Sequence, residues 1–328
     1  MTVSRVLNGK PGVSEKKRQF ILETVETLGY VANAAARTLR GTSQILGLVV
    51  PGIGSPYMGQ VIRGIMKTAE RLDYGVMLYT QGDKGAELSH TEGNSRIDYF
   101  SPLFSSSLTE GAVLVVPYDY ETLVDAFKEH QVPYVIIDHH GNIEDEPVIT
   151  ATNQKGIIDA MRHLLALGHK RIGFITGRMN MGCAQDRLLG YQTALKEVGL
   201  PYEQELVREG DFEQPTGFAK AVELLQLNPR PTAIIASNDV MAFGAMDAIK
   251  DIGLRVGHDV SVIGFDDIPM ASQVYPTLTT VRQPMAEMGE AAVDLLITLL
   301  RGHTPLTLQR ELSTELIIRE STARPPQK

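Results

Sequence analysis

The chain has one cysteine in 328 residues, Cys183, which excludes a disulfide framework and fits a reducing compartment. It has no tryptophan, and no apolar run approaches the ~20 residues needed to span a bilayer. The opening MTVSRVLNGK lacks the apolar core of a secretory signal, so a cytoplasmic protein is expected. The signatures of common enzymes are missing too. GIGSPYMG (52–59) has neither the third glycine of a dinucleotide fingerprint nor a Walker lysine, and there is no G-x-S-x-G. His90-Thr91-Glu92 is similar to the start of a deaminase motif, but one cysteine cannot supply the paired thiolates that follow it. His139-His140 lacks partners at metal-ligand spacing. No catalytic residue, metal or cofactor is expected.

Charge is present but uneven. Residues 1–45 carry seven Lys/Arg (Arg5, Lys10, Lys16, Lys17, Arg18, Arg37, Arg40) against Glu15, Glu23 and Glu26. A head of +4 therefore precedes a body of −12 within a net charge of −8. A basic head on an acidic body suits contact with phosphate at one end only. A solvated basic terminus would look the same by charge alone.

From Ile45 onward, short apolar runs alternate with amphipathic stretches. ILGLVVP (45–51), YGVMLYT (74–80), AVLVVP (112–117), PYVIID (133–138), RIGFIT (171–176), TAIIAS (232–237) and VSVIGFDD (260–267) read as buried strands. Segments 57–72, 84–100, 119–130, 153–168, 184–198, 214–227 and 238–253 read as helices between them. Such alternation gives open parallel sheets covered by helices. The pattern pauses over HHGNIEDEPVIT (139–150), which divides it into two successive α/β lobes. LTTVRQP (278–284), a helix over 285–301 and a strand-like 308–319 pass back between the lobes. Paired lobes of this kind hold a cleft at the carboxyl ends of their strands. Residues 1–45 differ: helices are expected at Thr2–Leu7 and Ser14–Leu28, closed by Gly29, followed by Ala32–Leu39.

TVSRVLNG, V-S-E-K-K-R, a helix ending LGY, and NAAARTLRG together resemble the DNA-reading head of the lactose-repressor-like (LacI/GalR) family. The resemblance implies that TVSRVLN is the recognition helix of a helix-turn-helix, with Thr2, Ser4, Arg5 and Asn8 reaching bases or phosphates and Val3, Val6 and Leu7 facing the core. A complete head of this type has one more helix before TVSRVLN, so this all-α head is expected to be truncated and marginal by itself. NAAARTLRG resembles the family's hinge. Leu39 then wedges the minor groove, while Asn33, Arg37 and Arg40 hold phosphates or the groove edge. A plain alanine linker is the other reading of that segment.

DRLLGYQTAL (186–195), SNDVMAFGAMDAI (237–249), DVSVIGFDD (259–267) and LTTVRQP resemble the family's effector domain, a two-lobed periplasmic-binding-protein type I fold. The implied organisation is a partial head over 1–30 and a hinge over 31–44. The first lobe then takes 45–148 plus 282–308, the second 149–281 plus 309–321, and a tail 322–328. The implied ligand contacts are Ser55, Tyr57, Asp138, Arg187, Phe212, Asn238, Asp266 and Gln283. Ser55, Tyr57 and Met58 would lie on a loop closing the pocket. Several residues have plainer readings: Asn238 or Asp239 as a helix cap, Asp266-Asp267 as a solvated turn, Arg187 as a surface partner of Asp186. On the functional reading, Arg187→Ala loses ligand response and folds normally. An arginine, carboxylates, amides and an aromatic face suit a polyhydroxylated ligand, a sugar or derivative first and a nucleoside or purine second. The expected protein is a homodimeric repressor that binds palindromic operator DNA and answers to that effector. A solute-binding protein without DNA affinity is the alternative.

Overall fold

The computed structural model describes residues 2–7, 11–27, 44–80, 100–104, 108–116, 120–138 and 145–326. At the N-terminal end, α1 (Thr2–Leu7) and α2 (Glu15–Thr27) pack together, and the Ser14 carbonyl accepts the first bonds of α2 from Lys17 and Arg18 at 2.9 Å. Val6 is buried, as its spacing predicts, but Val3 is half-exposed, so its assignment to a core is corrected. Val6 is the one buried residue among the described side chains of these two helices, and Phe20 and Leu22 of α2 face outward. Gly29 and the hinge segment lie outside the described residues, as do 81–99 and His139-His140.

The body begins with β1 (Ile45–Val50), α3 (Pro56–Arg71), β2 (Gly75–Thr80), β3 (Gly111–Val115), α4 (Tyr120–Glu129), β4 (Tyr134–Ile137) and β5 (Val148–Ala151). It continues as α5 (Asn153–Leu167), β6 (Ile172–Thr176), α6 (Gly182–Glu197), β7 (Val207–Glu209), α7 (Gln214–Leu225), β8 (Ala233–Ala236), α8 (Asp239–Asp251) and β9 (Ser261–Asp266). The last elements are β10 (Thr279–Arg282), α9 (Met285–Leu300), β11 (Gln309–Leu312) and β12 (Glu315–Ile317). Among the described residues the strands form two sheets, ordered β11-β5-β4-β3-β1-β2 and β12-β10-β9-β8-β6-β7. All pairings are parallel except β10 with β12. The central strands are buried on both faces, which is why Val, Ile and Leu run through them without alternation. β2 departs from the buried-strand reading. It ends its sheet, and Leu78 is 44% exposed.

The chain passes between the sheets three times: at Thr152, at Gln283-Pro284 and at Ser313-Thr314. The outer two passages are bonded to each other. Thr314 N donates to Thr152 Oγ1 at 2.8 Å, and Thr152 N donates to the Leu312 carbonyl at 2.9 Å. All three boundaries therefore move from their sequence positions, and Arg282, expected in the first lobe, is the last residue of β10 in the second sheet. β5 belongs to the first sheet, so the change of lobe follows Ala151, and β11 also joins the first sheet although 309–321 was assigned to the second lobe. The acidic, proline-bearing stretch before β5 hides a four-residue strand that is too short to show a period. α9 returns to pack on α3 with almost no space between backbones: a Cβ on Gly64 would stand 1.9 Å from the Ala286 carbonyl oxygen.

Candidate functional site

β4 and β9 each end in an aspartate that leaves the strand with left-handed backbone, Asp138 at φ 49° and Asp266 at φ 112°. Aspartate tolerates this region better than most residues, and the turn drives its carboxylate off the sheet edge. Asp138 comes from the first sheet and Asp266 from the second, and both are buried. Between them lies Arg187 of α6, only 3% exposed. Its Nε donates to Asn153 Oδ1 at 2.9 Å, Nη1 donates to the Ser237 carbonyl, and Nη2 donates to Gln283 Oε1 at 3.0 Å. The guanidinium stacks on Phe265 at 3.7 Å from the ring centre and stands 4.0 Å from Asp266. The surface pairing of Arg187 with Asp186 is thus replaced by a buried network.

That network extends into the first lobe. Gln283, on the middle passage, turns its Nε2 toward Asp138 Oδ2 at 3.4 Å, and the Tyr57 hydroxyl donates to the same oxygen at 2.6 Å. Burial, with Asp138 close by, holds the Tyr57 hydroxyl well above its ordinary range. Burial likewise raises Asp266 to about 7; Arg187 opposes the shift and Asp138 adds to it. Five sequence-predicted contacts, Tyr57, Asp138, Arg187, Asp266 and Gln283, therefore meet in one cluster.

The remaining predictions separate. Tyr57 and Met58 lie in the first turn of α3, not on a loop, because Pro56 starts the helix there. Ser55 is the exposed residue before that turn, with no side-chain cap bond. Asn238 caps α8, accepting from Met241 N at 2.9 Å, and its Nδ2 donates to the Phe212 carbonyl at 3.0 Å. The cap is Asn238 and not Asp239, which instead accepts from Ile268 N and Thr280 Oγ1 inside the core. Phe212 is half-buried at φ 73°, and its ring lies against Gly177, where a Cβ would meet it at 1.9 Å. Asp267 is no solvated turn: it is half-buried, with its side chain 8% exposed and paired with Arg319 at 2.7 Å and Arg282 at 2.8 Å.

A cavity of about 260 Å³ adjoins the cluster, and its described lining is Asp138, Thr150, Asn153, Gly182, Cys183, Gln185 and Asp186. Sequence reading named only Asp138 as a contact among these. Asn153, Cys183 and Gln185 sit in the first turns of α5 and α6, whose amphipathic patterns give no sign that their N-termini converge. Burial pushes the Cys183 thiol up to about 12, so it is a neutral wall of the cavity. In the head, Thr2 and Arg5 lie on the exposed face of α1. The side chain of Ser4 and the whole of Asn8, Asn33, Arg37, Leu39 and Arg40 lie outside the described residues.

Residues 1–33 match the lacI family of bacterial regulatory proteins, and residues 161–322 match the periplasmic binding protein-like domain. The chain is 31% identical over 323 residues to catabolite control protein A of Priestia megaterium, covering 98% of this chain and 95% of that protein. Among solved structures it superposes on the lac repressor dimer bound to operator and the anti-inducer ONPF. The TM-score is 0.84 at 28% identity, with 98% and 94% of the two chains covered. A complex of the transcriptional regulator CelR with cellobiose superposes with a TM-score of 0.77 at 29% identity, with coverage of 97% and 94%.

Proposed function

Because the chain belongs to the LacI family of bacterial regulatory proteins, we propose that it is a transcriptional repressor whose grip on operator DNA is set by a small polyhydroxylated effector in the cleft between its lobes. The observation that carries this reading is the buried Tyr57–Asp138–Gln283–Arg187 chain of hydrogen bonds, which joins the two lobes beside a polar cavity. A sugar or sugar derivative fits best. Its hydroxyls donate and accept at once, as the carboxylates and amides around the cavity require, and an apolar ligand would leave those groups unpaired. The cavity is near the lower end of ordinary ligand pockets. Arg187 and Asp266 hold the effector from the second lobe, and Tyr57 and Asp138 from the first. Asn238 and Phe212 shape the wall behind them, and Ser55 lies at the rim.

The head reads DNA through Thr2, Ser4, Arg5 and Asn8, with Arg5 best suited to a two-pronged contact with guanine, worth ~1–3 kcal/mol of discrimination. Asn33, Arg37, Leu39 and Arg40 form the hinge contacts, and the protein acts in the cytoplasm as a homodimer on palindromic sites. Selection of duplexes from a random pool by the full chain at low salt tests the reading. An inverted repeat should emerge whose binding weakens steeply as salt rises, through release of counterions from neutralised phosphates. A chain that binds sugars and retains no duplex at any salt is a solute-binding protein, and the proposal then fails.

A further inference from the structure

Gln283 is 2% exposed and sits on the middle of the three passages between the lobes, where its backbone N–H still bonds the Asp266 carbonyl of the second sheet at 3.2 Å. Its carboxamide spans them. Oε1 accepts a hydrogen bond from Arg187 Nη2 of the second lobe at 3.0 Å. Nε2 faces Asp138 Oδ2 at 3.4 Å and Met288 Sδ of α9 at 3.2 Å, both on the first-lobe side. Arg187 is absent from the described lining of the cavity, although Asp138 and Asn153, at the two ends of its hydrogen-bond chain, are both in it. Of the groups bonded to Arg187 only Asn153 is in that lining, and Gln283 links the guanidinium to Asp138, which is also in it.

We propose that the Gln283 carboxamide is a built-in occupant of the effector position, which the effector must displace to reach Arg187. This rests on reading the cleft as the effector site. The hold is unequal: the bond from the charged Arg187 has an ordinary length of 3.0 Å, while the contact to Asp138, at 3.4 Å, is at the long limit for an N–H···O bond. Displacement is thus feasible for a molecule presenting an acceptor to Arg187 and a donor to Asp138 on neighbouring atoms. A vicinal diol does this, since each hydroxyl both donates and accepts. Displacing the carboxamide removes the side-chain bonds that tie Arg187 of the second lobe to Asp138 of the first, while the backbone bond to Asp266 stays, which links occupancy to the hold between the lobes. Gln283 is on this account a positioning and specificity residue: it selects against ligands that cannot replace both of its bonds.

Gln283→Leu keeps most of the volume and removes both bonds. Hydrogen exchange of the full chain with no small molecule added should rise about tenfold at the amides of 57–60 and 285–289, leaving β8 and β9 unchanged and the circular dichroism native. Unchanged exchange at those amides overturns the proposal. Titration with D-ribose, D-glucose and cellobiose gives the second reading. Whichever binds the natural chain should bind Gln283→Leu more tightly, by roughly the tenfold that a hydrogen bond to a charged group is worth. Weaker or equal binding would make Gln283 an ordinary contact and end the proposal. If none of the three binds either protein, the sugar reading of the cleft fails, and the exchange result still decides whether Gln283 bridges the lobes.

Discussion

At the scale of single residues, the site is dominated by one buried charge pair. Asp266 titrates near 7 in the folded chain and at ~3.9 when unfolded. Between those values the folded state holds the additional proton, so this group makes stability fall as pH rises from ~4 to ~7, with no further loss above. Asp266→Asn should flatten that part of the profile in thermal melts; an unchanged slope would contradict the assignment. Arg187 is the attraction that limits the shift, so the expectation that its removal leaves folding untouched is corrected. At pH 8, Arg187→Met leaves an uncompensated buried carboxylate and should cost about 3–5 kcal/mol. At pH 5, where Asp266 is protonated, the cost should be clearly smaller. Equal losses at both pH values in urea unfolding would show that the pair is not coupled. The resemblance of DRLLGYQTAL and DVSVIGFDD gave the identities of Arg187 and Asp266. That both are buried, and that Gln283 links Arg187 to Asp138, was not legible, because these contacts join residues 96 and 145 positions apart in the chain.

At the scale of elements, the strand-helix rhythm was legible where an apolar run stands out from its neighbours, as in β4 and β8, each only four residues long. β5 was missed because its four residues follow an acidic, proline-bearing stretch, β7 because two of its three residues are Arg208 and Glu209, and β2 was misjudged because composition does not separate an edge strand from a central one. The contact between α3 and α9 is the element on which a transmitted movement would act most directly. Gly64→Ala would drive a methyl group into the Ala286 carbonyl and should destabilise by about 1–3 kcal/mol. Gly59→Ala, on the exposed face of the same helix with nothing within 4 Å, should instead gain up to ~1 kcal/mol from helix propensity. Urea midpoints moving in the same direction would show that close backbone approach is not what Gly64 provides.

At the scale of the molecule, the division of charge, the twin sheets and the existence of three passages were readable from the sequence, while the residues at which the chain crosses were not. Thr152, Gln283-Pro284 and Ser313-Thr314 lie two to five residues beyond the expected boundaries, because the short strands β5 and β11 and the end of β10 carry no marked change of composition. These passages flank a cavity lined from both lobes, and if the proposed effector acts there on operator binding, the operator must by reciprocity alter effector affinity by the same factor. The most direct test is fluorescence anisotropy of a selected palindromic duplex with the full chain, at fixed salt, with and without a sugar shown by thermal shift to bind. The account predicts a change in duplex affinity of at least about fivefold, abolished in Arg187→Met. A sugar that raises the melting temperature through the cleft and leaves duplex affinity unaltered would contradict it.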